Sequence, residues 1–230
     1  MKVKKFSSRV KTVLFNFHPS AFLLITQLLL LILYAIFDGV HTGRALISAV
    51  GLIVLVLVVW VVDRSPGFTI IALLLGIPGF VLAILSAVYL NTVLIVWSSI
   101  IEALLYFYAA GSLIAYMMED NQVTEDELFA AGSTFTLLAW GFAYIYFICQ
   151  TILPGSFVNG SGATQTYTFL ELLFLSFTNL SATGLSDILP GSSVARAVIM
   201  LEQFVGIGYV AVVVSRLIGL TVTRYKQRHE

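Results

Sequence analysis

Residues 167–190 read YTFLELLFLSFTNLSATGLSDILP. Tyr167 to Leu180 is mostly apolar, yet a helix of that length rises only about 21 Å, short of a hydrocarbon core of about 30 Å. Ser181 to Ser186 is then built of small and hydroxylated residues around Gly184 and Leu185, with Asp187 and Pro190 just beyond. Longer apolar runs flank the segment on both sides, Phe129 to Leu153 before it and Val194 to Thr221 after it. A half-length apolar helix between two full spans reads as one that enters and leaves on the same side. Non-helical backbone at membrane depth is tolerated only where protein buries it or where it lines a watery cavity.

The rest of the chain supports a membrane setting. Of 230 residues, 59% are hydrophobic and 10% charged, against about 25% charged in soluble domains; the mean hydropathy is +0.99. Four further apolar runs precede the pair already named: Ala21–Phe37, Ala45–Val62, Phe68–Tyr89 and Thr92–Met117. Each approaches the roughly 20 residues that a spanning helix needs. Asp38 to Arg44, the Pro/Gly stop Asp63 to Gly67, Asn91, and the acidic Glu119 to Glu127 separate them. The basic start is followed by a run too long for a signal peptide and by no small-residue cleavage site, so the first run is expected to be a retained helix.

Six spans place both ends on one side. Lys2, Lys4, Lys5, Arg9, Lys11, Arg64, Arg224, Lys226 and Arg228 fall there, and only Arg44 and Arg196 fall opposite. The excess of basic residues predicts cytoplasmic termini and a half-length segment entering from outside. Zero net charge gives no sign of a nucleic-acid partner.

Phe174 to Pro190 resembles the pore loop of the two-transmembrane units of the potassium-channel superfamily, F-S-x-x-T-L-T-T-V-G-Y-G-D-I-x-P. Ser176, Leu180, Gly184, Asp187, Ile188 and Pro190 match as they stand, and Ser181 is a close replacement for threonine. Ala195-Arg196, Glu202, Gly206 and Arg216 to Gly219 are similar to the inner helix of the bacterial members, and Glu171 stands where the family often has an acid. The resemblance covers about 90 residues from the fifth span onward. It implies a tetrameric cation channel in the cell membrane, with monovalent cations and lipid as partners and no cofactor or resident metal. Backbone carbonyls of Ala182, Thr183, Gly184, Leu185 and Ser186 would face the ion. Asp187, Glu171 and Ser181 would form or support the mouth, and Glu202, Gly206 and Gly208 would serve as an inner-helix gate or hinge.

The departures from that pattern bear on selectivity. Ala182 lacks the hydroxyl of the family's threonine, Leu185 lacks the hydrogen-bonding aromatic brace, and Ser186 replaces a glycine and would be strained in a left-handed conformation. A weakly selective cation pore follows. Thr92 to Met117 carries no Lys or Arg, so an arginine voltage sensor is not expected.

Other readings stay open for several residues. Asp187 is either a solvated charge or part of an acidic ring that concentrates cations. Glu102, Glu171 and Glu202 lie in apolar helices, where a carboxyl is either paired or protonated in the core or faces the ion path. Gly206 and Gly208 either allow a bend or let helices pack closely. Tyr144 and Tyr146 belong to an aromatic run that reads as lipid-facing or packing. Cys149, alone in an apolar run, reads as packing. His18, His41 and His229 sit near chain ends or in a loop and form no metal or nucleophile–base pattern, which argues against an enzyme. A secondary transporter and a non-conducting regulatory channel homologue are the alternatives. The expected fold is an all-α membrane protein of six transmembrane helices with a re-entrant pore helix and filter loop between the last two. Residues 1–128 form a basic N-terminus, a four-helix region and an acidic linker, and residues 129–230 form the pore domain.

Overall fold

The computed structural model describes residues 19–37, 53–63, 69–89, 91–119, 125–216 and 218–219. Its helices are α1 (Pro19–Phe37), α2 (Ile53–Asp63), α3 (Thr69–Tyr89), α4 (Thr92–Met117), α5 (Glu125–Ile152), α6 (Phe169–Leu180) and α7 (Ser193–Tyr209). A π-helical turn, Val210–Val214, continues α7. Two short strands, β1 (Phe157–Val158) and β2 (Leu189–Pro190), complete the described elements.

Five of the described helices are long and apolar enough to cross a membrane: α1, α3, α4, α5, and α7 with its π turn. α2 is shorter; residues 45–52 of the expected second span lie outside the described residues, as do most of the basic residues behind the orientation argument. Asn91, the least obvious boundary in sequence, caps α4: its side chain accepts from the Val93 N–H at 2.8 Å. α5 begins one turn earlier than its apolar run.

α5 is the central strut. It packs against α1, α4, α6 and α7, and Leu137, Ala139, Trp140, Ala143 and Tyr146 are fully enclosed. Small and hydroxylated residues set its approach to α1. A Cβ on Gly132 would lie 2.8 Å from a Leu24 methyl, Ser133 Oγ donates to the Ser20 carbonyl at 2.8 Å, and Thr136 Oγ1 donates to Gln27 Oε1 at 2.6 Å. Small residues and interhelical hydrogen bonds replace hydrophobic burial as glue where the solvent is lipid. Gly76 and Gly79 do the same for α3, which they bring against Val59 of α2 and Ile101 of α4.

The antiparallel pairing of β1 with β2 decides the path of the chain between α5 and α7. Phe157 lies opposite Pro190 and Val158 opposite Leu189, and the Gly191 N–H donates to the Ser156 carbonyl at 2.8 Å. The whole excursion through α6 and residues 181–188 therefore departs from and returns to one point. A Cβ on Gly191 would meet the Gly155 carbonyl oxygen at 2.5 Å, so glycine is required for that closure. Thr136→Val leaves the buried Gln27 amide without its partner on α5, and should lower stability by about 1 kcal/mol, read as a reduced melting temperature of the protein in detergent.

Candidate functional site

The site is built on α6, and its first turn is fixed by reciprocal caps. Thr168 Oγ1 accepts from the Glu171 N–H at 3.3 Å, and the Glu171 carboxylate accepts from the Thr168 N–H at 2.6 Å. Glu171, expected to form or support the mouth, is the acid of a capping box at the start of α6. It also borders an open cavity of about 330 Å³ together with Leu170, Phe174, Asp187 and Ile188. Asp187 is exposed.

At the other end of α6 the chain folds back onto the helix terminus. The Ser181 N–H donates to the Phe177 carbonyl at 3.1 Å, Ala182 N–H to Asn179 at 3.0 Å, and both Thr183 N–H and Gly184 N–H to the Thr178 carbonyl at 2.9 and 3.1 Å. Those amides satisfy carbonyls that a helix end leaves open. The described peptides are all trans. In a planar trans peptide the C=O is antiparallel to the N–H of the next residue. The carbonyls of Ser181, Ala182 and Thr183 are therefore directed away from the helix end. Residues 181–185 are exposed, Leu185 at 75%. The Ser181 and Thr183 hydroxyls lie 3.0 Å apart, and that of Thr183 also donates to the Thr178 carbonyl at 3.3 Å.

The backbone strain sits at a different residue from the one expected. Ser186 is not left-handed; its hydroxyl accepts from the Ile188 N–H at 3.1 Å. Within residues 181–186 the left-handed positions are Gly184, with φ 62°, and Ala182, with φ 58°. A left-handed alanine crowds its Cβ against the carbonyl that follows, at about 1–2 kcal/mol.

The three inner-helix residues separate. Glu202 is fully buried. Its carboxyl hydrogen-bonds the Tyr146 hydroxyl of α5 and the Ser176 hydroxyl of α6. Asn179 Nδ2 donates to the Tyr146 oxygen at 3.5 Å, and Ser176 Oγ also lies 2.8 Å from the Ala139 carbonyl oxygen. Gly206 touches the end of α6: a Cβ there would stand 2.0 Å from the Leu180 carbonyl oxygen. Of the two uses open to this glycine, close packing is the one the geometry displays. Gly208 meets nothing within 4 Å, and the π turn follows two residues later. The opposite face of α7, with Met200, Leu201, Phe204 and Ile207, is more than half exposed and apolar.

Tyr146, Ser176 and Asn179 are the site residues that the sequence did not single out in these roles. The available signal was Glu202 itself, since a carboxyl among apolar residues requires donors on facing helices. Glu102 on α4 obeys the same rule, with Ser98 Oγ donating at 2.9 Å and the Tyr144 hydroxyl bonded to the same carboxyl. Among the described residues no group of His, Cys, Asp and Glu is arranged to hold a metal ion.

Long apolar helices enclosing a half-length helix and an open, carbonyl-bearing loop define a multi-pass membrane protein. Comparison supplies its family. The family model described as ion channel matches residues 103–222, 120 of the 230 residues, and the chain belongs to that ion channel family. The match begins inside α4 and runs through α5, α6, the loop and α7. No curated protein and no solved structure gives a match.

Two substitutions test the geometry. Gly206→Ala forces a methyl group into the Leu180 carbonyl and should cost about 1–3 kcal/mol, read as a lowered melting temperature or loss of the assembled protein. Ala182→Gly removes a left-handed Cβ and should raise the melting temperature, by the equivalent of about 1 kcal/mol.

Proposed function

We propose that the protein is a tetrameric pore-loop cation channel that passes monovalent cations and discriminates weakly between potassium and sodium. The single observation that carries this reading is the loop after α6, which ties its amides to the helix terminus and directs successive carbonyls the other way. A ring of such carbonyls can replace the hydration shell of a cation. The negative end of the α6 dipole adds to the attraction. One loop cannot surround an ion, so four chains would have to enclose the path by symmetry. The exposed apolar face of α7, together with Phe174 and Leu185, supplies surface for such an assembly.

In this reading Ala182, Thr183, Gly184, Leu185 and Ser186 present the ion-facing carbonyls, and Asp187 stands at the outer mouth. α6 is a re-entrant helix of a six-span subunit, both termini are cytoplasmic, and the protein resides in the cell membrane. Weak selectivity follows from two side chains. Ala182 supplies no hydroxyl, and Leu185 supplies no hydrogen bond to hold the outer loop at fixed width. Either change loosens the oxygen cage that separates potassium from sodium.

Reconstitution in bilayers under opposed potassium and sodium gradients tests the reading. The wild type should pass both cations with a reversal potential near zero. Leu185→Tyr combined with Ser186→Gly, which leaves the left-handed Ala182 unchanged, should move it toward the potassium equilibrium potential. Anion current, sharp potassium selectivity in the wild type, or no current at all would each overturn it. Mass measurement in nanodiscs should give four chains, and a monomer or dimer as the conducting unit would count against it.

A further inference from the structure

A proton count at the buried carboxyl goes beyond the channel reading. Ser176 carries one hydroxyl proton, yet its oxygen is within hydrogen-bond reach of two acceptors, the Ala139 carbonyl and the Glu202 carboxyl. One proton shared between both leaves each bond weakened. The Tyr146 hydroxyl donates to the other carboxyl oxygen, and its own oxygen receives the Asn179 amide. A proton on Glu202 gives every member of the chain its own acceptor. Asn179 Nδ2–H then donates to Tyr146, Tyr146 to Glu202 Oε2, Glu202 Oε1–H to Ser176, and Ser176 to the Ala139 carbonyl. Every donor has one acceptor, and the chain is neutral throughout. An ionised carboxylate in an enclosed membrane interior would require a cation or further donors to offset its desolvation.

We propose that Glu202 is a positioning residue for the 181–186 loop, held as a neutral carboxylic acid that donates to Ser176 and so fixes the register of α6 between α5 and α7. Two residues beyond Ser176, the Thr178 carbonyl receives the Thr183 and Gly184 amides. One turn beyond Glu202, Gly206 lets the Leu180 carbonyl settle against α7. A shift of α6 along α7 would therefore carry the loop carbonyls with it. The functional part of the proposal rests on the channel reading above; the protonation and register do not.

Three measurements separate these parts. Infrared difference spectra of wild type against Glu202→Gln at neutral pH should show a carboxylic-acid C=O band present in the wild type and lost in the variant. Its absence overturns the neutral acid. Hydrogen exchange of peptides covering residues 177–190 should be unchanged in Glu202→Gln, because an amide donates to Ser176 and accepts from Tyr146 just as the neutral acid does. Exchange should be about tenfold faster in Ser176→Ala and in Glu202→Val. Should Glu202→Val not assemble, Ser176→Ala and Tyr146→Phe carry the test, since each removes one hydroxyl with little change in volume. Wild-type exchange in those folded variants overturns the positioning role, whether or not the protein conducts. The third measurement is the potassium-to-sodium reversal potential, which should shift in Ser176→Ala and hold in Glu202→Gln. A conducting wild type with no shift in Ser176→Ala overturns the link to selectivity and leaves the channel reading standing.

Discussion

The hydrogen bonds of one buried carboxyl link the last three helices. Lipid offers Glu202 no water, so its oxygens are satisfied by side chains on neighbouring elements. Those donors and acceptors come from α5 and α6 while the carboxyl comes from α7. Apolar packing alone is tolerant of sliding, because one methyl group serves nearly as well as another. A network of directed hydrogen bonds is not, since displacement by one helical step leaves polar groups unpaired in a low-dielectric interior. The close approach of Gly206 to the Leu180 carbonyl is compatible with that single register.

The same solution occurs on the far side of α5. Tyr144 and Tyr146 are two residues apart, which turns them about 200° from each other around the helix. Tyr144 meets the Glu102 carboxyl of α4, and Tyr146 meets that of Glu202 on α7. α5 is thereby fastened on both faces. Between the two, Phe169 at the start of α6 packs in an aromatic cluster, 4.7 Å from Tyr144, 5.7 Å from Trp140 and 5.8 Å from Tyr34 of α1. α1 therefore touches the short helix at its start, and α7 meets its end. The β1–β2 pair closes the same unit at the chain's entry and exit.

Much of this architecture was legible in the residues. Apolar runs of spanning length bounded by Asn91, Asp63-Arg64 or Glu119 identify helices because lipid requires internally satisfied backbone. That rule depends on length and composition alone, and both are local. The half-length run ending at Leu180 and the Thr-Gly that follows it pointed to a special loop for the same reason. Gly184 is left-handed at φ 62°, a conformation that the absence of a Cβ leaves free of strain.

Tertiary structure alone decided the roles. Glu202 and Gly206 fall four residues apart on one helix, so sequence places them on the same face but cannot say what that face meets. Contact with α5 and α6 makes one a hydrogen-bonding centre and the other a contact for a backbone carbonyl. Tyr146 looked like one more aromatic of an apolar helix, and its partner lies 56 residues away. Which loop residue is left-handed was likewise undecidable in one dimension. Thr178 accepts two successive amides only when the chain turns back over the helix end, and that turn falls to Ala182 instead of Ser186. Composition and length selected a membrane protein with one unusual loop. The directions of its hydrogen bonds, which exist only between elements already packed, determined how that loop is held.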